Sequence, residues 1–113
     1  MKLGHVELPV RDPLRALAFY RDVLGFQLEV NQVDRFIWMT SGDVTLLLRP
    51  GAEEDPPGDL ARANLVLYSD DLTADVERVR ASGVELSERS NCFHFRDTEG
   101  NWLQLVDPGG DHS

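Results

Sequence analysis

The sequence predicts an α+β fold made of two βαβββ modules. Three observations carry that reading: the order of strand-like and helix-like segments occurs twice, the helix caps and glycine stops recur with it, and the chain has single-domain size. At 113 residues, 42% hydrophobic and 27% charged, it has the composition of one ordinary globular domain.

Residues 5–10 read as a strand with Val6, Leu8 and Val10 on one face and His5 and Glu7 on the other. Pro9 lacks the N–H that a central strand needs, so this strand belongs at a sheet edge. Asp12-Pro13 supplies an N-cap and a first-turn proline. Leu14, Leu17, Ala18, Phe19, Tyr20, Val23 and Leu24 follow at helical spacing until Gly25 stops the helix. Residues 26–30, 35–40 and 44–49 read as strands, the last two joined at Ser41-Gly42-Asp43. Residues 50–63 are rich in Pro, Gly and acid and read as an exposed connector. Beyond it come a strand at 64–69, an Asp70-Asp71 cap, a helix at 72–81 closed by Ser82-Gly83, and strands at 84–87, 92–96 and 102–106. Module one thus covers about 4–49 and module two about 64–108, within a single domain spanning 1–113.

HVELPVRD lies over NLVLYSDD, Gly25 over Gly83, and FIWMTSGDVTLLLRP over FHFRDTEGNWLQLVDP, at an offset of about 57 to 59 residues. Setting Phe36 against Phe93 places His94 against Ile37. Each helix covers one sheet face through residues such as Val6, Leu8, Leu65 and Leu67, which frees the other face. Two free faces together line a cup: a cup-shaped mixed sheet with helices on its outer face.

Eleven Lys and Arg against twenty Asp and Glu leave a net charge of −9. Such a surface repels nucleic acid and anionic membranes and favours a cationic or neutral partner. Cys92 is the sole cysteine, which excludes an intrachain disulfide and a thiolate cage; it reads as a small buried apolar residue. The chain reads as cytoplasmic, with no signal peptide and no run of about eighteen apolar residues to span a membrane.

Three segments, GHVELPVRDPLRALAFYRDVLGF, ANLVLYSDDL and FRDTEGNWLQLVDP, resemble the vicinal oxygen chelate superfamily, which includes glyoxalase I, extradiol dioxygenases and bleomycin-resistance proteins. The resemblance implies paired βαβββ modules, a cup-shaped sheet around a small-molecule site, and a homodimer. In its metal-using members the ligands come from the first and last strands of each module, positions that fall here on His5, Leu46, Asn64 and Gln104. His5 is a competent ligand. Leu46 is not one, and Asn64 and Gln104 offer only neutral amide oxygens where a dioxygenase of this type supplies a second His and a Glu. Glu7 shares the His5 face but stands about 6 to 7 Å along the strand, too far to complete a set.

The site therefore reads as a degenerate, metal-free cup binding a small molecule, in the manner of the bleomycin-resistance proteins, rather than as a metalloenzyme. Its lining comprises His5, Glu7, Trp38, Leu46, Asn64, Val66, Tyr68, His94, Trp102 and Gln104. Aromatic rings suit a planar or cationic ligand, and the amides would orient it. Alternation sets Trp102 beside Gln104, and Val66 and Tyr68 with Asn64. The direction of Trp38 stays open, because both faces of its strand are apolar. The alternative is a metal-dependent lyase, isomerase or dioxygenase with His5 and Gln104 as a partial ligand set. A third reading is metal-free acid-base catalysis by His5 or Glu7. Asp70-Asp71 is assigned to a helix cap, Arg96, Asp97 and Asn101 to a turn, and His112 to the surface.

Overall fold

Asp12 and Asp71 start the two helices. Each side chain accepts from a backbone N–H three residues on, Arg15 N and Ala74 N, both at 3.1 Å, so each satisfies one of the donors that a helix start leaves without an intrahelical partner. The computed structural model describes residues 1, 3–50, 64–89 and 92–108. The chain divides into two units, Met1–Leu60 and Ala61–Ser113. Residues 51–63, which make up most of the expected connector, and His112 lie outside the described residues.

The first unit runs β1 (Val6–Val10), α1 (Pro13–Ala18), a π-helical turn (Phe19–Val23), β2 (Gln27–Gln32), β3 (Phe36–Ser41) and β4 (Val44–Pro50). Its sheet has the order β1-β4-β3-β2, with β1 parallel to β4 and the other pairs antiparallel. Pro9 is thus on an edge strand, as its missing N–H requires. The helix expected to run unbroken to Leu24 changes to π geometry at Phe19. Gly25 then ends it at φ 81°, and Phe26 N donates to Tyr20 O at 2.9 Å. Phe19 and Phe26 meet the Tyr20 ring edge-on at 5.8 and 5.5 Å. The helix buries Ala16 and Leu17, and α1 lies on β3 and β4. Beneath it Leu8, Val10, Ile37, Met39, Leu46 and Leu48 are all buried. Each such side chain contributes about 1.5 to 3 kcal/mol by leaving water.

The second unit repeats the plan with β5 (Asn64–Tyr68), α2 (Leu72–Ala81), β6 (Ser87–Arg89), β7 (Cys92–Arg96) and β8 (Trp102–Val106), in the order β5-β8-β7-β6. Val76 and Val79 of α2 are buried, as are Phe95, Leu103 and Leu105 of the sheet. The strand expected at 84–87 pairs only from Ser87 onward; after Gly83 (φ 91°), residues 84–86 run unpaired beside the sheet edge. The α+β class and the paired βαβββ plan are therefore observed, each module carrying its own four-stranded mixed sheet.

The register corrects the repeat alignment by one residue. Glu7 pairs with Leu47 and Trp38 with Leu47, while Val66 and His94 both pair with Gln104. The counterpart of Gln104 is thus Leu47, not Leu46, and the counterpart of His94 is Trp38, not Ile37. Matching Pro50 to Pro108 sets Leu46 against Gln104, but Pro50 is itself paired in β4, opposite Val10, whereas Pro108 lies beyond the end of β8. A slip of one residue exchanges the two faces of a strand. Leu46 accordingly sits with Val6 and Met39 in the helix-covered core, 3% exposed, and it is withdrawn from the candidate site.

Candidate functional site

The helix-free face of each sheet carries the polar and aromatic residues that the core excludes. In module one the register sets Glu7, Leu47 and Trp38 in one row across β1, β4 and β3. His5, just before β1, donates from Nε2 to Glu7 Oε2 at 2.8 Å. Arg49 Nε donates to Glu7 Oε1 at 3.0 Å, and its Nη1 donates to Pro50 O at 3.1 Å. The two side chains expected to stand too far apart are therefore in direct contact. Alternation fixes the backbone spacing, but a Glu side chain is long enough to lean back across it. The carboxyl of Glu7 is held below its ordinary value, chiefly by the His5 hydrogen bond, with partial desolvation opposing and Arg49 adding to the lowering.

Trp38, whose direction alternation left open, belongs to this face. Its ring meets the His5 ring edge-on with centroids 5.0 Å apart. Its Nε1 donates to Gln32 Oε1 at 3.1 Å. The geometry thus brings His5, Glu7 and Trp38 together and adds Arg49 and Gln32, which the sequence reading did not single out. Arg49, two residues beyond Leu47, is placed on the Glu7 face only by the register of β4 with β1.

In module two Val66, Gln104 and His94 form one row, and Asn64, Trp102 and Arg96 the next. Val66 and Tyr68 project from this face at 50% and 76% exposure. The Arg96 guanidinium lies over the Trp102 ring, 4.3 Å from its centroid. The turn before β8 sets this pair. Asp97 accepts from Glu99 N, Asn101 N and Asn101 Nδ2 at 2.8 to 3.0 Å, and so fixes the chain between the two residues. Arg96 is therefore more than the turn residue it was assigned to be. A cavity of about 410 Å³ opens here, lined by Val84, Glu85, Leu86, Ser87, His94, Arg96 and Trp102. Nδ1 of His94 is buried and has no hydrogen-bond partner among the described residues. Cys92 is half-buried at the far end of β7.

Within each module taken by itself, the described donors form no set for a divalent ion. His5 and Glu7 are bonded to each other, a guanidinium holds the remaining carboxylate oxygen, and the residue facing them across the strands is Leu47. In module two the matching position offers the Gln104 amide, and among the described residues no group of three His, Cys, Asp or Glu side chains converges. A divalent cation needs charge-compensating ligands, and the carboxylate present is already compensated by Arg49.

Solved structures with this architecture include TnmS3, an antibiotic binding protein from Streptomyces sp. CB03234. It is 30% identical with a TM-score of 0.77, and the match covers 96% of this chain and 99% of that one. A glyoxalase/bleomycin resistance protein from the same organism is 28% identical with a TM-score of 0.72, over 92% of this chain and all (100%) of that one. Lactoylglutathione lyase from Agrobacterium tumefaciens shares the fold at 22% identity and a TM-score of 0.73, over 95% and 93% of the two chains. No curated protein sequence matches. The family model described as Glyoxalase/Bleomycin resistance protein/Dioxygenase superfamily matches residues 2–105, nearly the whole of both modules, and the chain belongs to that superfamily.

Proposed function

We propose that this protein binds a small planar molecule on the helix-free face of module two, without a metal. The observation that carries this reading is the cavity beside Trp102, where an indole ring, an imidazole, a guanidinium and apolar side chains converge. Such a mixture of apolar wall and a few directed polar groups is the usual make-up of a small-molecule site. The likeness to an antibiotic binding protein over nearly all of both chains supports it. Of the two ligand classes suggested by composition, the aromatic one is favoured, because Arg96 already occupies a face of Trp102 that a cationic ligand would need. The test is a thermal-shift screen of planar antibiotics and simple aromatic compounds, with hits measured by calorimetry on the wild type and on Trp102→Ala. Binding weakened by the substitution supports the site, and unchanged affinity removes it. Plasma mass spectrometry after dialysis against Fe(II), Zn(II), Ni(II) and Mn(II) addresses the metal: near-stoichiometric metal that is lost in His5→Ala would overturn the metal-free reading.

One observation favours a second reading. A histidine oriented by a carboxylate, as His5 is by Glu7, is the arrangement of a general base. If module one catalyses proton transfer, turnover of a carbonyl substrate must fall in both His5→Ala and Glu7→Gln while binding at Trp102 persists.

A further inference from the structure

The two modules hold their helix-free arginines in different ways. Arg49 is engaged, with Nε on the Glu7 carboxylate and Nη1 on the Pro50 carbonyl. Among the described residues, Arg96 is held by the Trp102 ring and not by a carboxylate. A ring contact fixes the plane of a guanidinium but leaves its N–H edge available, and that edge matches a carboxylate in a bidentate fork. Arg96 also lines the cavity, beside His94, whose Nδ1 is buried without a partner among the described residues. A buried polar atom without a partner carries an unfavourable desolvation cost that a ligand hydrogen bond would relieve. Ser87, paired with His94 across β6 and β7, adds a hydroxyl to the lining. Glu85 supplies the one carboxylate among the lining residues.

Resting on the binding reading above, we propose that the module-two cavity takes a planar aromatic acid. Its ring lies against the Trp102 and Arg96 layer, its carboxylate or phenolate is held by the Arg96 guanidinium, and His94 supplies a further hydrogen bond. The local guanidinium outweighs the net charge of −9, because charges on the far surface are screened beyond roughly 8 to 10 Å at physiological salt, whereas a direct contact is not. Glu85 opposes such a ligand and so sets an upper limit on its affinity.

The test uses three probes of one shape: 2-naphthoate, its neutral methyl ester, and 2-naphthylmethylamine, titrated calorimetrically into the full chain. Naphthoate should bind about tenfold tighter than the ester, the amine being weakest, as a charge-assisted hydrogen bond in a partly enclosed site predicts. Arg96→Gln should erase that preference, Arg96→Lys should restore part of it, Glu85→Gln should strengthen naphthoate binding, and Arg49→Gln in module one should leave it unchanged. Circular dichroism confirms that each variant is folded. Equal binding of all three probes, still weakened by Trp102→Ala, overturns the acid preference while the small-molecule reading stands. Naphthoate binding that survives Arg96→Gln likewise overturns the assignment. No binding of any probe, together with an empty screen, removes both readings.

Discussion

The helix-free faces of the two modules are built on the same register yet hold opposite chemistry. Module one has a charge, an aliphatic and an indole at Glu7, Leu47 and Trp38; module two has an aliphatic, an amide and an imidazole at the corresponding Val66, Gln104 and His94. In module one the polar groups satisfy one another through His5, Glu7, Arg49 and Gln32. In module two, among the described residues, they do not: His94 Nδ1 lacks a partner, Arg96 rests on a ring, and a cavity stands beside both. Duplication supplies two equivalent scaffolds, and the difference between them is what favours module two as the proposed binding face. A closed hydrogen-bond network is a poor receptor because binding must first break it, whereas incomplete polar groups gain partners on binding.

The largest effect expected concerns the register on which this comparison depends. Leu46→Gln should destabilise the fold by about 3 kcal/mol or more, since it buries an amide under the helix. Leu47→Gln, also buried at 6% exposure but beside the polar groups of Glu7 and Trp38 that can partner its amide, should cost less. Chemical denaturation of both variants decides it, and equal losses would undo the equivalence of Leu47 with Gln104. Next comes ligand affinity. Trp102→Ala should cost about 1 to 3 kcal/mol of binding, while Trp38→Ala should leave calorimetric affinity nearly unchanged. A larger loss at Trp38 would move the site to module one.

A smaller effect is expected at the turn joining β2 to β3. Val33 and Asp34 hold φ of 51° and 59°, a conformation costly for a β-branched residue. Asn31 braces the turn, accepting from Asp34 N at 2.8 Å. Val33→Asn should raise stability by about 1 kcal/mol without changing ligand binding, measured as a shift in denaturation midpoint. The smallest effect is electrostatic. Because the Glu7 carboxyl lies below its ordinary value in the folded chain, its contribution is complete above that ordinary value and is lost as pH falls through the lowered one. Glu7→Gln should therefore lower stability slightly near neutrality and flatten the acid limb, the variant and the wild type converging at low pH. An unchanged acid limb would show that the His5 and Arg49 contacts carry no linkage.

Much of this was legible because it is local. Asp12 and Asp71 as caps, Gly25 and Gly83 as stops, and the spans of α2, β7 and β8 follow from side-chain chemistry within a few residues. The shared faces of Trp102 with Gln104 and of Val66 with Tyr68 follow from alternation alone. The π-helical turn at Phe19 and the shortened β6 were not legible, since both depend on what the segment meets in space.

By itself the sequence determined the α+β class, the twofold βαβββ order, the superfamily, and the shortage of metal-binding side chains on the expected strands. Only the tertiary structure decided which residue of each strand faces which way. Leu46 and Leu47 are chemically identical and adjacent, so nothing within β4 distinguishes the core residue from the one beside Glu7; the hydrogen-bond register with β1 and β3 does. The same holds for the arginines. Arg49 lies one residue before the end of β4 and Arg96 ends β7, and only their neighbours in space, a carboxylate for one and an indole ring for the other, separate the satisfied cation from the one available to a ligand.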